Sequence, residues 1–390
     1  MISVDEALEK LFALVCPTAH ESVPLLEAAG RVLATDVTAR RDQPPFATSA
    51  MDGYAVISEE ADLHAQFKVI GESAAGHGFA GEVKPGQAVR IFTGAPLPKG
   101  ASRVVIQEDV ERRADLITIT DSQTGGTNIR PQGDDFRAGD VIHAPRVISP
   151  TDLALLAAMN IAHVPVHRKP VVALISTGDE LVMPGEDPSP DQIVASNSFG
   201  LYALLRDWGA EPRLLPIARD NRESLETAFR LAETADLIVT IGGASVGDHD
   251  MVGDVGETMG LERSFYKIAI RPGKPLMAGR MGNAAMVGLP GNPVSAMVCA
   301  RVFLSPMIRS MLGMNAARAE ERRAVLTHDL PRNGPREHYQ RAVVENGQVT
   351  VAARQDSALL SVLADANALA VSPPDAPAQP AGSEIRYISI

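Results

Sequence analysis

Five carboxylates in the middle of the chain, Asp179, Glu180, Asp220, Asp248 and Asp250, each follow a short apolar run, with glycines and hydroxyls beside them. VVALI (171–175) leads into Ser176-Thr177-Gly178-Asp179-Glu180, and RLLPIA (213–218) leads into Arg219-Asp220-Asn221. DLIVTI (236–241) leads into Gly242-Gly243-Ala244-Ser245-Val246-Gly247-Asp248-His249-Asp250, and AAMVGL (284–289) into Pro290-Gly291-Asn292-Pro293. Carboxylates gathered at one edge repel unless a hard cation sits among them, and Mg2+ favours one or two carboxylates plus substrate phosphates. A glycine-rich turn lets backbone amides approach an anion, and Ser245 adds a hydroxyl to such a nest. Gly-Gly alone also suits a ligand-free turn, and each acid alone suits a turn or a cap. The grouping is what points to metal and phosphate. The turn has neither the Gly-Lys-Ser/Thr of a P-loop nor dinucleotide spacing.

Cations follow in SFYKIAIRPGKP (264–275). In an extended strand Lys267, Ala269 and Arg271 share one face and Ile268 and Ile270 the other. Pro272-Gly273 turns the chain and presents Lys274. Three cations reaching one place suit a polyanionic substrate; the plainer alternative is an edge strand with solvated charges. The nine histidines have no ligand spacing and read as structural.

These groups need a scaffold. Short, wholly apolar runs alternating with helical patterns predict buried parallel strands in a doubly wound α/β domain, with the ligand outside the carboxyl ends of the strands. Leu201, Leu204, Leu205 and Trp208 mark a helix stopped by Gly209. Asn292 reads as an N-cap with Pro293 at the first helical position, and Pro306 should kink or end that helix. Residues 3–15 predict a helix behind Ser3, with Glu6 completing a capping box. Strand-like runs from 53 to 142 predict an inserted β domain, and those from about 320 to 390, with Asn346-Gly347 as a hairpin turn, a small β-barrel-like domain. The division expected is 1–45 with 140–168 as an elongated discontinuous domain, 46–139, 169–317 and 318–390.

The 390 residues exceed one hydrophobic core. A net charge of −12 without a dense basic cluster argues against nucleic acid as the main partner. The apolar runs fall short of the ~20 residues that cross a bilayer, and the N-terminus lacks a signal-peptide pattern. Cys16 and Cys299 form no metal spacing and suit a reducing compartment. The expectation is a soluble cytoplasmic protein that binds no membrane.

Seven motifs in order carry a resemblance: SAMDGYAV (49–56), TGAPLPKGASRVVIQED (93–109), NIRPQGDDFRAGD (128–140), STGDEL (176–181), IGGASVGDHD (241–250), KIAIRPGKP (267–275) and GLPGNPVSA (288–296). PREHYQRA (335–342) and SALLSVLADANAL (357–369) add weaker support. Together they resemble the MoeA family of molybdopterin molybdenumtransferases, which includes the E domain of gephyrin. The resemblance implies a homodimer of elongated subunits that takes adenylylated molybdopterin and molybdate, inserts molybdenum into the dithiolene and releases AMP. It implies that Asp52, with Thr93 and Asp135 nearby, reaches the cleft from the β domain of the other subunit. Glu180, Asp220 and Asp250 would handle Mg2+ and water, with Asp248 beside them. Lys267, Arg271 and Lys274 would hold phosphate and molybdate oxygens, and Pro290, Gly291, Asn292, Pro293 and Ser295 would shape the pterin or anion pocket. Gly242, Gly243 and Ser245 would cradle phosphate, while Arg336 and Ser361 would stand on the molybdate side. A molybdopterin adenylyltransferase and molybdoenzymes are the implied protein partners. The family pattern reads Lys-Pro-Gly-Lys where this chain has Arg271; a guanidinium keeps the charge but not the readily lost proton.

Two rival readings share this fold: a gephyrin-like scaffold acting by binding partners, and a nucleotide pyrophosphohydrolase that needs no second oxyanion.

Overall fold

Strands Val171–Ser176, Leu237–Ile241 and Ala284–Leu289 are buried along their whole length and run parallel in the middle of a six-stranded sheet, as their wholly apolar composition requires. The computed structural model describes residues 1–122, 125–243 and 251–390. They divide into two units, Ser22–Val166 and Met1–Glu21 with His167–Ile390.

In the larger unit the sheet order is Glu211–Leu214, Val171–Ser176, Leu237–Ile241, Ala284–Leu289, Met277–Met281, Leu261–Phe265. Met277–Met281 alone runs antiparallel to its neighbours. The second strand in sequence lies outside the first and the third lies on its other side. The winding therefore reverses between Val171–Ser176 and Leu237–Ile241, and at such a switch point the loops diverge and leave a crevice. The 213–218 run is shorter than expected: its strand ends at Leu214, and Pro216 has no N–H with which to continue a ladder. Ala218 returns to bridge Thr177.

Helix Asn197–Asp207 buries Leu201 and Leu205 completely and stops at Gly209, whose φ of +91° suits glycine. Helix Arg222–Leu231 is capped by Asn221, which accepts from Ser224 N–H. Pro306 does not end its helix. Pro293–Cys299 passes through a π-helical segment, Ala300–Leu304, into Ser305–Met311, and that wider turn lies just ahead of Pro306, where irregular hydrogen bonding is tolerated. The continuous Pro293–Met311 helix is long and apolar enough to cross a membrane, longer than the broken runs of sequence suggested, and 78% of its most apolar window is buried inside the protein. It is a core helix of this unit.

The C-terminal strands close a five-stranded barrel: Glu337–Glu345, Gln348–Val351, Glu321–Leu326, Glu384–Ser389 and Ala368–Ser372, the last pairing back to the first. Asn346 and Gly347 turn the first hairpin with φ of +50° and +78°, both in the left-handed region the tight turn needs. Ile270–Arg271 pairs with Glu337–His338 and so belongs to the barrel sheet. Met1–Glu21, placed by the sequence with residues 22–45, groups with the larger unit, because Ile2 N–H donates to Lys267 O and Ile2 O accepts from Ala269 N–H. Ser3 caps helix Val4–Phe12 through Glu6 N–H. The full capping box occurs instead at Ser149 and Asp152.

The Ser22–Val166 unit has one core built from Val23–Ala39 and Phe136–Val166. Others lie on the six-stranded sheet whose order is Arg103–Ile106, Gly53–Val56, Gln87–Ile91, Gln66–Ser73, Leu116–Ile119, Val110–Arg113.

Candidate functional site

A cleft of about 710 Å3 opens at the switch point of the α/β sheet. Ser176, Thr177, Gly178 and Glu180 come from the end of the first strand, Ile241, Gly242 and Gly243 from the end of the third, and Pro290, Gly291, Asn292 and Pro293 from the end of Ala284–Leu289. Asp220 comes from the loop after the edge strand. Three sequence-predicted clusters thus converge in one cavity.

The local geometry explains the residue types. Gly242 and Gly243 have φ of +91° and +66°, and a side chain on Gly243 would overlap Val252 and meet Thr177 Oγ1. A side chain on Gly291 would come within 3.5 Å of Gly242 Cα, so the two strand-end loops approach through glycine backbones. Asn292 stands at the N-cap of Pro293–Cys299 but makes no side-chain cap bond, and it lines the cleft. Gly291 O is held by Asn197 Nδ2 at 2.7 Å. Ser295 is 3% exposed within the helix and does not line the cleft.

Arg219 escaped the sequence reading. Its Nη1 donates to Asp179 O and Leu181 O at 3.0 Å each and to Gly178 O at 3.4 Å, pinning the turn that carries Glu180. Asp179 accepts from Asp220 N–H at 3.1 Å through Oδ1, so its carboxylate fastens one loop to the next. An arginine next to a predicted acid was the available signal, but nothing in the sequence sets where its long side chain lands.

Glu180 and Asp220 are two carboxylates facing one cleft, which suits Mg2+ bound by one or two protein carboxylates and completed by substrate phosphates. Among the described residues no group of three or more His, Cys, Asp or Glu side chains is arranged to hold a metal ion alone. Asp250, the third expected ligand, lies outside the described residues, as do Ser245 and Asp248.

The three cations do not join that cleft. Lys267 Nζ sits 5.3 Å from the Tyr266 ring centroid, Lys274 is exposed past the turn, and only Pro275 of this segment lines the cleft. Gly273 packs on Cys299 and Pro290, tying the turn to the strand-end loop. Arg271 lines a second cavity, of about 290 Å3, with His338, Gln340 and Ser372 at its buried wall. Burial first, then the charges of Arg271, Arg336 and Arg341, push the His338 imidazole down to about 4. Arg336 also donates to Ile270 O at 3.4 Å. Ser361 is exposed on the short helix Leu360–Ala364 and lines neither cavity.

In the Ser22–Val166 unit Asp52 Oδ1 accepts from Thr93 N–H at 2.7 Å and from Thr93 Oγ1 at 2.8 Å. The backbone bond first and the hydroxyl second hold the Asp52 carboxyl below the usual carboxylate range. Asp135 lines a cavity of about 550 Å3 in the same unit with Phe46, Gly94 and Arg130.

Family comparisons match this architecture piece by piece. Residues 2–160 match the MoeA N-terminal region (domain I and II), residues 173–310 a probable molybdopterin binding domain, and residues 323–390 the MoeA C-terminal region (domain IV). The chain is 38% identical over 359 residues to a molybdopterin molybdenumtransferase of Haemophilus influenzae, covering 90% of this chain and 89% of that one. It belongs to the MoeA family. A Mycobacterium tuberculosis relative, molybdopterin molybdenumtransferase 2, is 37% identical over 381 residues, covering 94% of each chain. The crystal structure of a molybdopterin biosynthesis MoeA protein from Pyrococcus horikoshii OT3 superposes with a TM-score of 0.87 at 30% identity over 100% of both chains. MoeA membership places the chain among the enzymes of molybdenum cofactor biosynthesis. The switch-point cleft falls within the segment that matches the molybdopterin binding domain.

Proposed function

We propose that the chain binds adenylylated molybdopterin in the switch-point cleft, transfers molybdenum from molybdate to the dithiolene, and releases AMP. One observation carries the reading: two carboxylates, a pair of left-handed glycines and an N-cap asparagine whose side chain makes no cap bond meet in one cleft inside the segment matching a probable molybdopterin binding domain. The backbone of Gly242 and Gly243 gives phosphate oxygens close access. Asn292 offers an amide to the pterin or to a phosphate. Glu180 and Asp220 would hold Mg2+, which when bound neutralises phosphate charge. Arg219 keeps the Glu180 turn in place. Ser245, Asp248 and Asp250, which lie outside the described residues, belong to this reading through the sequence that follows Gly243.

Arg271, Lys274 and Arg336, with Lys267 and Ser361, are read as the molybdate side, where a guanidinium grips oxyanion oxygens without proton transfer. Water consumed at the phosphoanhydride balances the AMP that leaves, and as both dithiolene sulfurs bind molybdenum their two thiol protons leave with one molybdate oxygen as water. The reading extends to a homodimer in which Asp52 and its neighbours Thr93 and Asp135 serve the reaction. A molybdopterin adenylyltransferase would supply the substrate and apo-molybdoenzymes would take the product.

Glu180→Gln tests the cleft. It is expected to lower Mg2+-dependent AMP release at least ~100-fold while the circular dichroism spectrum and melting temperature stay as in the wild type. Wild-type turnover in this variant would remove Glu180 from the metal site.

A further inference from the structure

The Asp52 carboxylate is set by two segments of the Ser22–Val166 unit. One is the turn that carries it, just ahead of strand Gly53–Val56; the other is the end of strand Gln87–Ile91, which leads to Thr93. Thr93 places both of its donors on Oδ1, and Oδ2 has no hydrogen-bond partner among the described residues. Oδ2 is therefore the oxygen left to face a substrate. Its direction follows from the backbone at 52–53 and from where Thr93 stands against it.

Arg90 spans those two segments. It lies directly opposite Tyr54 in the antiparallel pair, so both side chains leave the sheet on the same face. The guanidinium carbon sits 5.2 Å from the Tyr54 ring centroid and 4.7 Å from that of Phe92, contacts that hold a long side chain in one place. Nη1 donates to Gly53 O at 3.1 Å and Nη2 to Gln107 Oε1 at 2.6 Å. Gln107 N–H in turn donates to Asp52 O at 3.0 Å, and its Nε2 donates to Glu108 Oε1 at 3.1 Å, which leaves Oε1 turned to Arg90. The carbonyls of Asp52 and Gly53 are thus both tied to one guanidinium, the second directly and the first through Gln107. The charge of Arg90 also favours the ionised Asp52, behind the two Thr93 bonds.

We propose that Arg90 is a positioning residue for Asp52: its fork locks the Asp52–Gly53 backbone to the strand that leads to Thr93, and so aims Oδ2. An ammonium keeps the charge on a flexible stem but lacks the planar fork that serves two acceptors at once. The proposal rests on reading Asp52 as serving the reaction, and the test separates the two.

AMP release in the presence of molybdate and Mg2+ would be measured for the wild type, Arg90→Ala, Arg90→Lys and Asp52→Asn, and for each Arg90 variant combined with Asp52→Asn, with melting temperatures alongside. Arg90→Ala is expected to lose about 10- to 100-fold, and Arg90→Lys to stay well below the wild type. The combined variants are expected to be no slower than Asp52→Asn alone, because a carboxylate already removed cannot be misaimed. Millimolar guanidinium is expected to raise the rate of Arg90→Ala but not of Arg90→Ala/Asp52→Asn. If Arg90→Ala melts early, Arg90→Lys carries the same comparison, since it keeps the charge and a stem to pack on the two rings. A combined variant that loses the full Arg90 factor on top of the Asp52 loss shows a general structural role and overturns the proposal. So does wild-type turnover in Arg90→Ala or Arg90→Lys. Wild-type turnover in Asp52→Asn overturns instead the reading of Asp52 beneath it.

Discussion

Asn292 occupies a helix N-cap without capping, and that separates its contribution to stability from its contribution to binding. An asparagine that caps loses about 1 kcal/mol on truncation to alanine. Asn292→Ala is therefore expected to cost less than ~0.5 kcal/mol in urea denaturation, yet to weaken pterin or AMP binding. A full capping loss with unchanged binding would return Asn292 to a structural role. Residue type and strand position were enough to bring Glu180, Asp220, Gly242 and Asn292 forward from the sequence, because strand ends in a parallel sheet share an edge. The destinations of Lys267, Arg271 and Lys274 were not legible. Alternation along 267–271 is visible in the burial of Ile268 and Ile270, but strand pairing with the barrel, not alternation, decides which cavity Arg271 faces. Arg219 was hidden for a related reason: the reach of its side chain depends on a turn folded from residues 178–181.

Elements carry the next tests. Gly243 lies at φ +66° against Val252 and Thr177, so Gly243→Ala is expected to cost on the order of 1–3 kcal/mol or displace the turn from the cleft. Denaturant unfolding together with AMP titration reads either outcome; an unperturbed variant would show that the turn has room to spare. The barrel strand Glu337–Glu345 supplies a pH test. His338 titrates near 4 in the folded chain against a usual 6.5, so the unfolded chain binds the extra proton first as pH falls. Stability is then expected to decline from about pH 6.5 down to about pH 4, by on the order of 3 kcal/mol for this group, and His338→Gln should flatten that decline. An unchanged pH profile in the variant would contradict the buried neutral imidazole. The elements themselves were largely legible: the apolar runs became the central strands, and Asn346-Gly347 became the expected turn. Where the sequence misled, a single backbone feature was responsible. Pro216 shortened a strand, and a π-helical segment carried the helix past Pro306.

At the scale of the whole molecule, the closed C-terminal barrel and the mixed α/β sheet are the architecture the MoeA family implies. The grouping of Met1–Glu21 with the larger unit was not legible in the sequence, because the partners of Ile2 at 267–269 lie far away along the chain. The proposed homodimer would sediment at twice the chain mass at micromolar concentration, and a monomer there would contradict that part of the proposal. The central claim is that this cleft couples phosphoanhydride cleavage to molybdenum transfer, and AMP release from adenylylated molybdopterin, measured with and without molybdate at saturating Mg2+, tests it most directly. The account predicts rapid AMP release only when molybdate is present, with molybdenum appearing on the pterin in equal amount. Release at the same rate without molybdate would make the protein a pyrophosphohydrolase, and no release under either condition would leave a scaffold; each result would contradict the account.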